Sequence, residues 1–475
     1  MIVIKKFCFV LILIFLCISL TACNGNTEAP LDVEPPSGAE ATDEPADMEE
    51  PSDVDVPPDI APWQEIIADA IAAQDPAAKG EPGPGLAWYQ VFVYSFYDSD
   101  GDGIGDLNGV TLSLDYIQSM GFDGIWLSPI HPSSTYHKYN VRDYLDIDPE
   151  YGTLADFDAL IEAANNRGIR IILDLVINHS DLNHPWFTER PEFYNISDQN
   201  GNGNWYELPD GRWYEAQFWS EMPDLDLFNE ELRAELEKMF EFWLQRGVAG
   251  FRLDAVKDYT GSVSSNIEVL AWVNEAVKRN KPDAYLVGEV WDTTTSLYQN
   301  YESGVDSFFS FPFAGARGII AEMLLDSDAP IYDYLKRTES AYGSAKSFNP
   351  EATNAPFFTN HDMARAAGFL KRDPALIKMA WGLSIMQPGD AFVYYGEELG
   401  MSGTGRDENF RAPMLWTDDE NAAGPDSRPS GMTVGPPEME PQNHSFPGAV
   451  NRFWIRIRST HISGTPSVCA ENTPT

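Results

Sequence analysis

The sequence predicts an α/β fold, a (β/α)8 or TIM barrel, on three observations. From residue 88 onward, strand-like apolar runs alternate with helix-like patterns, which argues for a parallel sheet covered by helices. The strand-like runs number eight, as such a barrel requires. Four of the runs end in charged and amide side chains, and a barrel of this kind gathers its working groups at the C-terminal ends of its strands.

In chain order, the candidate strands are 88–96, 122–128, 169–178, 248–255, 284–290, 305–311, 355–360 and 392–395. Helical patterns at 153–167, 230–246, 268–280 and 374–386 fall between them. The third unit breaks the rhythm. Between His179 and Asn229 lie about fifty residues rich in Asn, Trp, Tyr and Gly, too long for an ordinary connection between a strand and its helix. They are expected to form an inserted domain, 180–229, between the barrel halves 81–179 and 230–416.

The chain of 475 residues is long enough for more than one domain. It opens with Lys5 and Lys6, an apolar stretch from Phe7 to Leu20, and then Leu20-Thr-Ala-Cys23. A basic start, a short apolar run and small residues before a cysteine read as an export signal, 1–22, with cleavage before Cys23 and lipidation of its thiol. The alternative, a transmembrane helix, is weakened by the short apolar run. Localisation is therefore expected at the cell membrane, lipid-anchored and facing outward. Cys8 and Cys17 would leave with the signal, so Cys469 is left without an intramolecular partner.

Residues 24–75 carry 15 acidic and no basic side chains among Pro, Ala, Ser and Gly. That composition cannot bury enough apolar surface to offset its ordering entropy, so 23–80 reads as a disordered, extended stalk. The whole chain has 74 acidic against 31 basic residues. Such a balance argues against nucleic acid, whose phosphates it repels, and leaves neutral polymers open.

Four segments at strand ends carry the chemistry: Asp174-Leu-Val-Ile-Asn178-His179, Gly250-Phe-Arg252-Leu-Asp254-Ala255, Gly288-Glu289-Val-Trp291 and Phe358-Thr-Asn360-His361-Asp362. Three carboxylates from three strand ends supply what glycoside cleavage needs: a nucleophile, an acid for the leaving oxygen, and charge around an oxocarbenium-like transition state. This ordered set resembles the four signature regions of the α-amylase family of glycoside hydrolases (family 13), between its α-amylase and oligo-1,6-glucosidase branches. Met222-Pro-Asp-Leu-Asp226 is similar to the short marker in that family's inserted domain B. The likeness runs from about Trp88 to about Trp416.

The resemblance implies that Asp254 is the nucleophile, held ionised by Arg252, and that Glu289 is the general acid/base. It implies that Asp362 steadies the transition state, and that His179 and His361 bind hydroxyls of one glucose. His137 and Tyr139 match a substrate-binding histidine and a stacking tyrosine, while Asp174 orients Arg252. Asn140 departs from the Asp of close relatives. Retention of anomeric configuration requires a separation of about 5–5.5 Å between the two working carboxyls. The small Ala255 after the nucleophile tilts linkage preference toward α-1,4. The expected activity is hydrolysis of starch or maltooligosaccharides. An α-glucosidase or 4-α-glucanotransferase would differ in the products formed from maltoheptaose, and an inactive surface glucan-binding protein would give none.

Acidic residues alternate with glycines in Asp98-Ser-Asp100-Gly-Asp102-Gly-Ile104-Gly-Asp106. Carboxylates and carbonyls wrapping one hard cation are calcium chemistry, similar to the first half of an EF-hand loop, although Gly109 stands where that loop has its bidentate Glu. A structural Ca2+ held by Asp98, Asp100, Asp102, Ile104 and Asp106 is expected, and the family has such a loop after its first strand. A monomer is expected. From about His444 the sequence is unlike the β-sandwich that usually follows the barrel, so 417–475 reads as irregular and truncated or frameshifted, with 453–458 similar to the last barrel helix.

Overall fold

The computed structural model describes residues 85–201, 203–326, 331–416 and 431–440. The expected signal, the stalk with Cys23, the helix-like 453–458 and most of 417–475 lie outside these residues.

Eight strands form one parallel sheet: β1 (Ala87–Val91), β2 (Gly124–Leu127), β3 (Arg170–Leu175), and, after three short strands β4 (Ile196–Ser197), β5 (Trp205–Glu207) and β6 (Trp213–Glu215), the strands β7 (Gly250–Leu253), β8 (Tyr285–Gly288), β9 (Ser307–Phe309), β10 (Thr353–Ala355) and β11 (Ala391–Tyr394). The order around the sheet is β10-β9-β8-β7-β3-β2-β1-β11. A parallel bridge between Phe357 and Phe392 joins its two edges and completes the barrel.

The interior is filled rather than hollow, because alternate residues of each strand point inward and many of them are aromatic. Trp88 of β1 stacks on Tyr285 of β8, from the opposite side of the ring, with centroids 5.2 Å apart. Gly124 on β2 makes room for it, since a Cβ there would lie 2.3 Å from the Trp88 ring. Trp126, Phe309, Phe357 and Phe392 continue this inner cluster.

Outside, the helix Leu154–Asn165 starts at a reciprocal cap between Thr153 and Asp156. The helix Glu230–Gln245 is capped by Asn229 and buries Leu232, Leu236, Met239, Phe240 and Trp243, the apolar stripe that a 3.6-residue repeat sets against a sheet. Val263–Asn280 and Pro374–Ile385 follow the same plan behind Ser262 and Asp373 caps.

Two expected strands shift. The first ends at Val91, because Val93–Ser95 winds into a 3-10 turn in which the Ser95 N–H donates to the Phe92 carbonyl. The seventh is Thr353–Ala355 rather than 355–360. Pro356 has no N–H to give to the ladder, and the residues beyond Phe357 become the loop that presents His361 and Asp362.

Within 180–229, β4, β6 and β5 form a small antiparallel sheet. Bridges from His179 to Asp224 and from Tyr194 to Leu225 sew it to the end of β3. The segment 431–440 has no helix or strand but is tied to the barrel: Gly431 bridges Asp98, the Val434 N–H donates to the Gly103 carbonyl at 2.7 Å, and Glu440 exchanges hydrogen bonds with Asn409. Among the described residues, no helix is long and apolar enough to cross a membrane.

Candidate active site

Strand register builds the site. Pairing of β3 with β7 sets Asp174 beside Arg252, and pairing of β7 with β8 sets Leu253 beside Gly288, so that Asp254 and Glu289 follow side by side. Arg252 is fully buried and is the hub. Its Nη1 lies 2.7 Å from Asp174 Oδ1 and 2.5 Å from Asp254 Oδ1, and its Nη2 lies 2.7 Å from Glu289 Oε1. The guanidinium also sits 4.9 Å from the centre of the Trp126 ring. Just beyond Asp254 the chain turns through Ala255, whose φ of 49° is left-handed for a residue with a side chain. That turn aims the Ala255 N–H at Glu289 Oε2, 3.2 Å away.

Burial pushes the Glu289 carboxyl up to about 7; Arg252 opposes this and Asp362 adds to it. Burial also pushes Asp254 up, against the pull of Arg252. Asp362 goes the other way. Burial works against its charge, but His361, Arg411 and Arg252 together hold its carboxyl below the ordinary value. The arrangement therefore offers one acid that keeps a proton near neutrality beside a carboxylate that does not, the division of labour that acid-base chemistry at a glycosidic bond uses.

The loop after β10 brings His361 and Asp362 to the same place. His361 Nε2 is 2.6 Å from the Tyr139 hydroxyl and 3.1 Å from Asp362 Oδ2, while Tyr139 donates to Asp174 Oδ2 at 2.9 Å. The Tyr139 N–H donates to His137 Nδ1 at 3.2 Å. His179 is buried, its ring 5.3 Å from that of Phe218 on the inserted segment, and its Nε2 makes no hydrogen bond among the described residues. Burial lowers His137 to about 3, His179 to about 4 and His361 to about 3, so all three are neutral at pH 7. Thus contacts through Arg252 and Tyr139 join Asp254, Glu289, His137, His361 and Asp362, and His179 lies near His137.

Arg411 was not among the expected site residues. Its Nη2 lies 2.6 Å from Asp362 Oδ1, its Nη1 donates to the Tyr136 hydroxyl at 2.8 Å, and its Nε donates to the His361 carbonyl at 3.0 Å. The available signal was a cation opening the apolar run to Trp416, which is locked in place by its Nε1–H on the Phe96 carbonyl at 2.5 Å. Lys138 was also missed. Buried, with a left-handed φ of 64°, it pairs with Asp148 at 2.9 Å and with Glu150, which pins the segment carrying His137 and Tyr139.

In the loop 98–106, carboxylate oxygens of Asp98, Asp100 and Asp106 lie within 4.8 Å of one another. Gly101 and Gly103 take φ of 90° and 101°, wrapping the chain so that their N–H groups reach the Asp98 carboxylate at 2.6 and 2.8 Å. Asp102 Oδ1 instead accepts from the Ile104 N–H at 2.7 Å and stays outside that trio. Asp106 caps the helix Leu107–Leu112 through Gly109.

The family model for the α-amylase catalytic domain matches residues 90–435, which takes in Gly431 to Gly435 and extends the family likeness past Trp416. Alpha-amylase 3 of Dictyoglomus thermophilum is 41% identical over 343 residues, covering 70% of this chain and 67% of that protein. Glucan 1,6-alpha-glucosidase of Streptococcus dysgalactiae subsp. equisimilis is 29% identical over 431 residues, covering 74% and 78%. Among solved structures, Eubacterium rectale Amy13B superposes with a TM-score of 0.73 at 41% identity, covering 78% of this chain and 76% of that one. With its barrel and its match over most of the chain, this protein belongs to the α-amylase family of glycoside hydrolases.

Proposed function

We propose that this hydrolase cleaves α-1,4-glucosidic bonds of starch or maltooligosaccharides with retention, by double displacement. The observation that carries this reading is the single Arg252 guanidinium holding both Asp254 and Glu289, with Glu289 raised to about 7. Three buried carboxyls share one cation and burial raises Asp254 as well as Glu289, so the cluster holds a proton; in this reading it resides on Glu289 and leaves the charge of Arg252 to Asp174 and Asp254. Protonated Glu289 gives its proton to the leaving oxygen as Asp254 attacks the anomeric carbon and the glycosidic bond breaks. Ionised Glu289 then takes a proton from water, which displaces Asp254 from the glycosyl ester. Asp362 and the neutral histidines His137, His179 and His361 bind hydroxyls of the sugar, and the Nε2 of His179, without a hydrogen bond among the described residues, supports that role.

The test follows product anomers by NMR during hydrolysis of defined maltooligosaccharides. An α-anomer formed first supports retention; a β-anomer overturns it. The ladder from maltoheptaose then separates internal cleavage from glucose release or chain transfer, the behaviours suggested by relatives named as glucosidases.

In the same reading the loop 98–106 holds a structural Ca2+. Three carboxylate oxygens gathered within 4.8 Å of one another suit a hard cation. Bound there, the ion would brace the loop and the segment 431–440 against it, away from the sugar chemistry. Export and anchoring through lipidated Cys23, on a monomer facing outward, fit a polymer substrate that stays outside the cell. The chain's acidity speaks against nucleic acid as a partner.

A further inference from the structure

We infer that Gln90 is a positioning residue that donates to Nδ1 of His361 and so supports the tautomer protonated on Nε2. It is the first donor of a hydrogen-bond chain whose direction is set by its end on Asp174. Gln90 points inward from β1, its side chain buried, with Nε2 2.7 Å from His361 Nδ1.

The assignment follows by counting protons. Asp174 accepts at Oδ2 from the Tyr139 hydroxyl at 2.9 Å and from Trp126 Nε1 at 3.1 Å, and Arg252 occupies its Oδ1. An ionised carboxylate only accepts, so the single hydroxyl proton of Tyr139 goes to Asp174. Tyr139 then has only lone pairs to offer His361 Nε2 at 2.6 Å. The other neighbour of that nitrogen, Asp362 Oδ2 at 3.1 Å, is an acceptor too. Nε2 must therefore carry the proton. In a neutral imidazole this leaves Nδ1 as a bare lone pair, and the group facing it has to be a donor. The amide of Gln90 is that donor.

Every donor in the chain from Gln90 through His361 and Tyr139 then points toward Asp174. The opposite tautomer would set lone pairs against lone pairs at both Tyr139 and Asp362. Asp362 favours a charged imidazolium, but burial and the Arg411 and Arg252 guanidiniums facing His361 outweigh it. A glutamine thus gives Asp362 a neutral donor without adding charge to the site.

The experiment reads nitrogen chemical shifts of His361 in selectively labelled protein without substrate. The wild type should show a protonated Nε2 and an unprotonated Nδ1. In Gln90→Glu the donor becomes an acceptor, and both nitrogens should become protonated. Gln90→Met, which keeps the length but removes the donor, should keep Nε2 protonated, shift the Nδ1 resonance as that lone pair loses its partner, and lower kcat/KM by about tenfold, the scale of one unsatisfied buried partner. A wild-type His361 protonated on Nδ1 overturns the inference and requires no variant to fold. An unchanged His361 spectrum in a folded Gln90→Glu protein overturns it as well. Only the effect on kcat/KM rests on the proposed roles of His361 and Asp362. The tautomer is read on the resting protein, so the two readings fail separately.

Discussion

Two clusters of carboxyl groups lie on the same barrel, and they are neutralised in different ways. Around Arg252, three buried acids share a guanidinium supplied by the fold itself. In the loop 98–106, Asp98, Asp100 and Asp106 converge with backbone N–H groups and the Ser99 hydroxyl around them. An uncompensated buried charge costs several kcal/mol. In the proposed mechanism the first cluster meets that cost by holding back a proton, which is then available for transfer. The second can meet it by recruiting an ion. Acidic composition alone does not distinguish these outcomes; the built-in cation does.

The sharpest way to break this contrast is to remove the nucleophile. Asp254→Asn should lower turnover of glucans and of activated glucosides alike by ~10^4-fold or more, because no glycosyl ester can form. Residual turnover that still proceeds with retention at near wild-type rate would refute the role of Asp254. Glu289→Gln should cost about 10^2- to 10^4-fold on natural glucans. A substrate whose leaving group departs without a proton should lose far less in the first step. Equal losses on both substrates would remove Glu289 as the acid.

The pH dependence sharpens the comparison at smaller amplitude. In the proposed mechanism Glu289, raised to about 7 chiefly by burial, must be protonated to release the leaving group. Its proton is present below that pH and lost above it, so kcat/KM on glucans should fall as pH rises through about 7. In a substrate with an activated leaving group, that alkaline decline should flatten for the glycosylation step. A decline of the same shape and position for both would assign it to another group. Asp362, held below the ordinary carboxylate range, stays ionised through this window and adds no limb there.

Much of this contrast was legible in the sequence, and the reasons are local. Asp254 and Glu289 each end an apolar run, and strand geometry alone sends such residues to one rim. The alternation of acid and glycine in 98–106 writes the loop's curvature directly. What could not be read is pairing at long range. Arg411 meets Asp362 across 49 positions of sequence, and nothing near either residue announces the other. Gln90 looks like any polar residue in a strand until β1 is placed opposite His361. The seventh strand was read too late because its apolar residues continue past Pro356, and apolar character does not report a missing N–H.

The smallest expected effect belongs to the loop. A ligand bound only by the folded state stabilises it by RT ln(1 + [L]/Kd), about 2.7 kcal/mol at a hundredfold excess over Kd. In a domain of this size each kcal/mol moves the melting temperature by about 2–4 °C or less. Chelation should therefore lower Tm by several degrees, and added calcium should restore it. Asp100→Ala is the cleaner probe of the trio, because Asp100 is exposed whereas Asp106 also caps a helix. That variant should reproduce most of the loss and blunt any further response to chelator. Asp102→Ala should do less if its carboxylate stays on the Ile104 N–H, outside the trio, and as much if the ion draws it in. Neither change should move the pH profile set by Glu289, since the loop sits apart from Arg252. A melting curve indifferent to calcium and chelator would sink the ion.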